Sequence, residues 1–386
     1  MNYQSLVSVM LAVAIQLGFL AAVTKPASAA QAKTVKPAPA PNVAGQGELE
    51  ALVKEAQKEG KVVIYGAPMG DAANQLRKAF RDRYRIDMEF VVGRGGSSEM
   101  IQKMLTERRT GLYLADIING GLTTFFKMIV PAKLALPLEP LIILDEVKDL
   151  TKWRSGKIPF LDKKKLVVAP SALASHYVTI NGSLVKESEI TSFNDLLDPK
   201  WKGKIIINDP TVIGRGNSWF TYMLLQAFSS KEKGEDYMRK LLVNQPTVLR
   251  DERLQVEWLA KGKYPVLIGG KRTTVESFIN AGAPLNWVKT KGDALLSSGP
   301  FYFNAVPNAA HPNAQQVFFN WILGKEAGGI MAQYGGFPSE RLDVSTAGFD
   351  PSQVPRPNDI AEDEDYVSRS SDMLNIAGKI FKDVVQ

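Results

Sequence analysis

The sequence predicts an α/β fold built on parallel sheets, and three observations carry that expectation. Between Glu48 and Gly121, short β-branched runs alternate with segments of helical periodicity in the order helix, strand, helix, strand, helix, strand. The alternation resumes after Trp201, with strands expected at Ile205–Ile207 and Pro265–Ile268 and helices from Ser218 and near Leu254. The second block opens with PKWKGKIIINDPTVIGRGNSWFTYML, residues 199–224, which reads as strand, break, glycine-rich turn and apolar helix.

Taken in order, ELEALVKEAQKE (Glu48–Glu59) has apolar residues at helical spacing and stops at Gly60. Val62–Tyr65 is a buried strand, and Asp71–Tyr84 an amphipathic helix with Leu76, Ala79 and Phe80 inward. Met88–Val92 is the next strand. GRGGSS (Gly93–Ser98) then opens a helix burying Met100, Ile101, Met104 and Leu105, and Ala115–Ile118 is the third strand. In parallel sheets ligands bind beyond the strand carboxyl ends, so the loops Gly66–Gly70, Gly93–Ser98 and Asn119–Thr124 are expected on one rim. Leu166–Ile180 reads as two extended segments without intervening helices. His311–Val344 holds a strongly apolar helix and a turn. Residues 346–365 are rich in Pro and Asp and are expected to wrap the surface, and Asp372–Val385 is a final amphipathic helix. No internal repeat is present.

The turn at Gly214-Arg215-Gly216-Asn217 carries chemistry. A glycine-rich strand-to-helix turn offers main-chain N–H groups and the positive end of a helix dipole, which suits an anion, and Arg215 adds a planar donor fork. An ordinary turn with a solvated arginine has the same sequence.

The first 29 residues resemble a secretory leader, with an apolar run from Leu6 to Val23 and small residues before a cleavage point after Ala29, although no Lys or Arg precedes the run. A retained membrane anchor is the alternative. Residues 30–48 have too little apolar content to pack and are expected to form a flexible linker. The 386-residue chain contains no cysteine, which removes disulfides, thiolate chemistry and a cysteine-linked lipid. Its net charge of +7 is spread out rather than striped with aromatics, so no nucleic acid is expected as a partner. GRGGSS lacks the third glycine of a dinucleotide fingerprint, and neither G-x-S-x-G nor H-E-x-x-H occurs. No acid–base pair presents itself, so a binding protein is expected rather than an enzyme, with no cofactor.

Three stretches in register, FNDLLDPKWKGKIIINDP (193–210), HPNAQQVFFNWILGKEAG (311–328) and GFPSERLDV (336–344), resemble the type II periplasmic solute-binding proteins of ABC transporters, in the branch holding ferric-iron and sugar-phosphate binders. The resemblance covers about Leu49 to Val344. It implies a two-lobed α/β fold with hinge-crossing strands near 166–180 and 293–306, closing over a ligand. Lobe 1 is expected over 49–168 with 290–345, lobe 2 over 169–289, and a C-terminal extension over 346–386. The implied partners are a small solute and the permease in the inner membrane, with the protein itself periplasmic and monomeric.

By that resemblance the ligand contacts are expected from Arg94, Ser97, Ser98, Thr123, Arg215, Asn217, Lys271, Arg272 and Thr273, with Thr274 beside them. Their forks, hydroxyls and helix starts favour a carboxylate, sulfonate or phosphate ester. Iron-binding members use adjacent tyrosines in the loop that here reads GGKRTT (269–274), which has none and offers cations instead. His176 and His311 stand in no metal-ligand spacing and are expected to be structural, so no metal site is assigned. Tyr65, Trp219 and Phe301 could wall an apolar part of a ligand, with core packing the better expectation for the last two. Two alternatives stay open: a ferric-iron carrier, and a sensor whose closed form is read by a receptor.

Overall fold

The computed structural model describes residues 45–382 apart from 68, 94–96, 213, 229, 291–294 and 358. The expected leader and most of the linker lie outside these residues.

Helix α1 (Gln46–Glu59) ends at Gly60, whose φ of +79° gives the left-handed C-terminal stop. Strand β1 (Lys61–Gly66), helix α2 (Asp71–Tyr84), strand β2 (Asp87–Val92), helix α3 (Ser97–Arg109), strand β3 (Ile117–Asn119) and the short α4 (Leu122–Thr124) follow in the expected alternation. β1 pairs in parallel with both β2 and β3. After α5 (Asp145–Lys148) the chain crosses through β4 (Leu173–Ser175) and β5 (Val178–Asn181).

The second block is β6 (Ile205–Asn208), α6 (Arg215–Tyr222), α7 (Lys231–Val243), β7 (Thr247–Leu249), α8 (Glu252–Ala260), β8 (Val266–Ile268), α9 (Arg272–Asn280) and β9 (Leu285–Val288). The return runs through β10 (Leu295–Ser297) and β11 (Phe303–Ala305) to α10 (Pro312–Ile322) and α11 (Lys325–Gly335). The chain closes with β12 (Ile360–Ala361) and α12 (Glu364–Phe381).

These strands form a sheet β11-β3-β1-β2, a sheet β7-β6-β8-β5-β9 and a small sheet β12-β10-β4 made from the two crossing segments and the C-terminal extension. In that small sheet β10 runs antiparallel to β4, so the outward and return crossings lie side by side. One face of the first sheet is sealed by α2, which buries Ala72, Leu76, Phe80 and Tyr84 at four-residue spacing. Phe80 meets Trp321 of α10 edge-on at 5.2 Å. Trp219 and Phe301 are fully buried in the core, as expected.

Three expectations need correction. The glycine-rich turn does not precede its helix: α6 begins at Arg215 rather than Ser218, because Asn208 Oδ1 accepts the N–H of Gly216 at 2.9 Å and holds the first turn. The last helix begins at Glu364, eight residues before Asp372, because Asp363 caps Tyr366 N at 2.8 Å and Tyr366 and Val367 are buried. The segment before it does more than wrap the surface, since β12 adds a parallel strand to β10.

Candidate ligand-binding site

The rim of the first sheet is formed by the ends of β1 and β3. At Gly66, φ is +155°, and a Cβ there would lie 1.8 Å from the carbonyl oxygen of Asn119, so only glycine lets the two strand ends meet. Asn119 donates Nδ2 to the carbonyls of Ala67 and Pro300, both at 3.0 Å, while its buried Oδ1 has no partner among the described residues. Gly120 N donates to Tyr302 O at 3.2 Å, which ties the rim to the return crossing. Two of the three expected loops therefore meet. Thr123 is exposed on α4. Arg94 and the side chains of Ser97 and Ser98, at the start of α3, lie outside what the structure describes.

Across the crossing segments stands the rim of the second sheet. Parallel pairing of β6 with β8 sets the starts of α6 and α9 at the same edge. The loops abut: a Cβ on Gly269 would lie 3.6 Å from Gly216 Cα and 3.8 Å from Arg215 O. Two helix N-termini side by side give that edge a positive potential.

Arg215, half-buried, donates Nη2 to His176 O at 3.1 Å, and its guanidinium carbon lies 4.1 Å from the Tyr177 ring centre. Its buried Nε has no partner among the described residues. Arg272 holds Glu276 at 2.8 Å, one turn along α9. Arg215 and Arg272 share a small pocket of about 10 Å³ with Ser175, His176, Trp287 and Gln353. That is room for about one water.

The other expected contacts do not join them. Lys271 turns to Glu252 at 3.1 Å. Asn217 is buried and donates to Pro210 O at 3.3 Å within its own turn, and Thr273 is exposed. Gln353 is a neighbour that no sequence signal marks: its carbonyl accepts Ala174 N at 2.9 Å, which brings the C-terminal segment to the pocket.

Below Arg215 is a buried group of oxygens. Tyr302 Oη donates to Glu362 Oε2 at 3.3 Å and accepts Ser298 N at 2.9 Å, and Tyr366 Oη donates to Ser218 O at 2.9 Å. Tyr177 Oη has no partner among the described residues. Burial pushes all three phenols and the Glu362 carboxyl up, and Arg215 opposes the rise at Glu362, Tyr177 and Tyr366. Tyr65 lies elsewhere, bonded to Glu107 at 3.2 Å and to Lys103 at 2.9 Å.

Both histidines serve the framework. Burial lowers His176, and its Nε2 donates to Ser352 O at 2.7 Å, the tautomer following from that partner. His311 lies 2.8 Å from the buried Asp116 carboxylate. A cavity of about 890 Å³ touches none of the rim loops and lies against the crossing segments and the C-terminal extension.

A family model described as bacterial extracellular solute-binding protein matches residues 71–356. The chain belongs to that family. A comparison with curated proteins returned no match. Among solved structures, the solute-binding protein resembles the Trichodesmium protein IdiA (FutA) in complex with iron and citrate. The identity is 16%, covering 83% of this chain and 99% of that one, with a TM-score of 0.65. It also resembles the periplasmic binding protein AfuA of Actinobacillus pleuropneumoniae with fructose-6-phosphate bound (20%, 84% and 99%, TM-score 0.55). A third is the Mannheimia haemolytica ferric iron-binding protein A in an open conformation (15%, 84% and 98%, TM-score 0.64).

At these identities the likeness speaks for the fold, the type II periplasmic-binding architecture of two α/β lobes joined by crossing strands. By its family the chain is a bacterial extracellular solute-binding protein, a receptor for a solute.

Proposed function

We propose that this receptor captures a small anion bearing carboxylate or phosphate oxygens, held on the lobe 2 rim and covered when lobe 1 closes. The observation behind this reading is Arg215, which stands beside Arg272 where the N-termini of α6 and α9 adjoin and keeps a donor unspent. A carboxylate or phosphate accepts bidentate bonds from such a fork and adds a favourable term at each helix end. A ligand touching both lobes favours closure by its larger affinity for the closed form. The closed receptor then hands its cargo to the permease. Lobe boundaries at 49–168 with 290–345 and at 169–289 belong to this proposal.

A ferric cargo is the second reading, and two observations favour it. Relatives of this fold carry iron, one of them with citrate. The buried phenols Tyr177, Tyr302 and Tyr366 with Glu362 are hard oxygen donors of the kind Fe(III) takes. A ferric complex of an organic acid belongs to both readings, because it is itself an anion.

Calorimetric titration with citrate, a sugar phosphate, ferric citrate and ferric ion without an organic acid separates the readings. Binding of the organic anions, lost in Arg215→Ala and Arg272→Ala while unliganded melting stays put, is the expected result. Unchanged affinity in both variants would falsify the site. Binding of ferric ion alone, with a visible phenolate-to-iron absorption band, would select the second reading.

A further inference from the structure

The hinge cavity of about 890 Å³ is opposite in sign to the chain that surrounds it. Its wall is built from residues between 155 and 163, the crossing segments at Ala169, Ala172, Leu296 and Ser298, and, in the C-terminal extension, Arg356, Pro357, Asp359, residues 361–365 and Ser368. Seven carboxylates and three cations line it, in a protein of net charge +7.

Most of those carboxylates are already engaged. Asp162 accepts three main-chain N–H groups at 2.8 to 3.1 Å, Asp363 caps α12, Asp365 pairs with Arg369 at 2.7 Å and Asp359 with Arg356 at 2.7 Å. Glu340 is different. It is 6% exposed, lines the cavity, and its carboxylate forms no hydrogen bond or ion pair with any described residue. Arg154 attracts it from a distance, but donates its own Nη2 to Ser339 O at 3.3 Å. Glu362 accepts only the 3.3 Å bond from Tyr302 among the described residues. A buried carboxylate without a partner is costly, and a cation in the cavity removes that cost.

We propose that this cavity is a second binding site, separate from the rim, that takes a protonated organic amine through Glu340 and Glu362. The space far exceeds a bare ion, and no cluster of three or more His, Cys, Asp or Glu able to hold a metal occurs among the described residues. An ammonium group supplies the donors that the two carboxylates lack, and Phe160, Leu296 and Pro357 offer apolar wall to a carbon body. An occupant touches both crossings and the C-terminal strap, so its binding couples to lobe closure by whatever affinity differs between open and closed forms. The proposal stands independently of an anion on the rim and competes with the ferric reading for Glu362.

The test is calorimetric titration and thermal melting of the full chain at pH 8 with 1,4-diaminobutane and tyramine, and citrate as the anionic control. At least one amine should raise the melting temperature. Glu340→Gln should weaken it tenfold or more, whereas Lys271→Ala, on the rim and paired with Glu252, should leave its affinity unchanged. The unliganded Glu340→Gln protein should melt no lower than the parent, which shows that the variant folds. No shift with either amine at about a thousand times a micromolar Kd overturns the proposal. So does equal amine affinity in Glu340→Gln.

Discussion

Arg341 and Arg215 both lie over an aromatic ring and both donate to main-chain carbonyls, yet their donors are used differently. Arg341 is 1% exposed and gives Nε and Nη2 to Asp343 at 2.8 and 2.7 Å. Its Nη1 reaches Leu323 O at 3.2 Å and Glu146 O at 3.4 Å, and its guanidinium lies 5.5 Å from the Trp153 ring centre. Arg215 makes one carbonyl bond and buries an unpartnered Nε. A framework arginine saturates its fork, because an unpaired buried donor costs free energy. An arginine that keeps a donor in reserve beside a second arginine and two helix starts is placed for a ligand. That contrast is open to breakage at several points.

The largest effect is expected at the saturated corner. Arg341→Ala strands two carbonyls and the Asp343 carboxylate that Arg341 holds below the ordinary range, and should cost about 3–5 kcal/mol of unfolding free energy by urea titration. A loss under about 1 kcal/mol would show that saturation is not what marks a framework arginine.

Glu340, beside it in sequence, should set a pH dependence. Burial pushes its carboxyl up to about 7 from an ordinary 4.5, with Arg154 opposing. An acid with a raised folded pKa keeps its proton when the unfolded chain has lost it. Stability should therefore fall as pH rises from about 4.5 to about 7 and level off above, by at most about 3 kcal/mol. Urea midpoints across that range should slope downward in the parent and lose most of that slope in Glu340→Gln. A parallel slope in the variant would assign the effect to other groups.

Gly216 tests whether the rim depends on close main-chain approach. A Cβ there would stand 2.3 Å from Asn208 O and 2.4 Å from Asp209 O, both backbone atoms that cannot yield without moving the turn. Gly216→Ala should cost about 1–3 kcal/mol and weaken anion binding with it. An unchanged melting curve would mean that the turn relaxes freely and does not fix Arg215.

Much of this was legible in the chain. The alternation from α1 to β3 and from β6 to β8 follows from hydrophobic period and turn residues, which are local signals. The place of Arg215, the first residue of α6 after Gly214, follows from the same local signals. What sequence reading missed is non-local. The partner of Lys271 is Glu252, on the preceding helix, and nothing near Lys271 announces it. The early start of α12 depends on Tyr366 reaching Ser218, 148 residues away, while DEDYVSRSS by itself has little apolar period. Glu340 sits in the GFPSERLDV stretch that helped place the family, but its burial against the crossings is a property of the folded hinge. Local pattern fixes elements and turns; charge partners come from packing that no spacing encodes.

The smallest effect sharpens the contrast most. Arg215→Lys keeps the charge and removes the fork, and should lower anion affinity about tenfold by titration, since a lysine ammonium offers a point charge where a guanidinium offers two parallel bonds. Unfolding free energy should move by less than about 1 kcal/mol, because one carbonyl bond is lost while an unpartnered buried donor also disappears. The same exchange at Arg341 should show the reverse, with stability falling by about 2 kcal/mol or more and anion affinity unchanged, because four bonds to three partners depend on the planar group there. If both positions lose stability and neither loses affinity, the orphaned Nε of Arg215 is a defect of packing, and the anion must be sought along the lobe 1 rim.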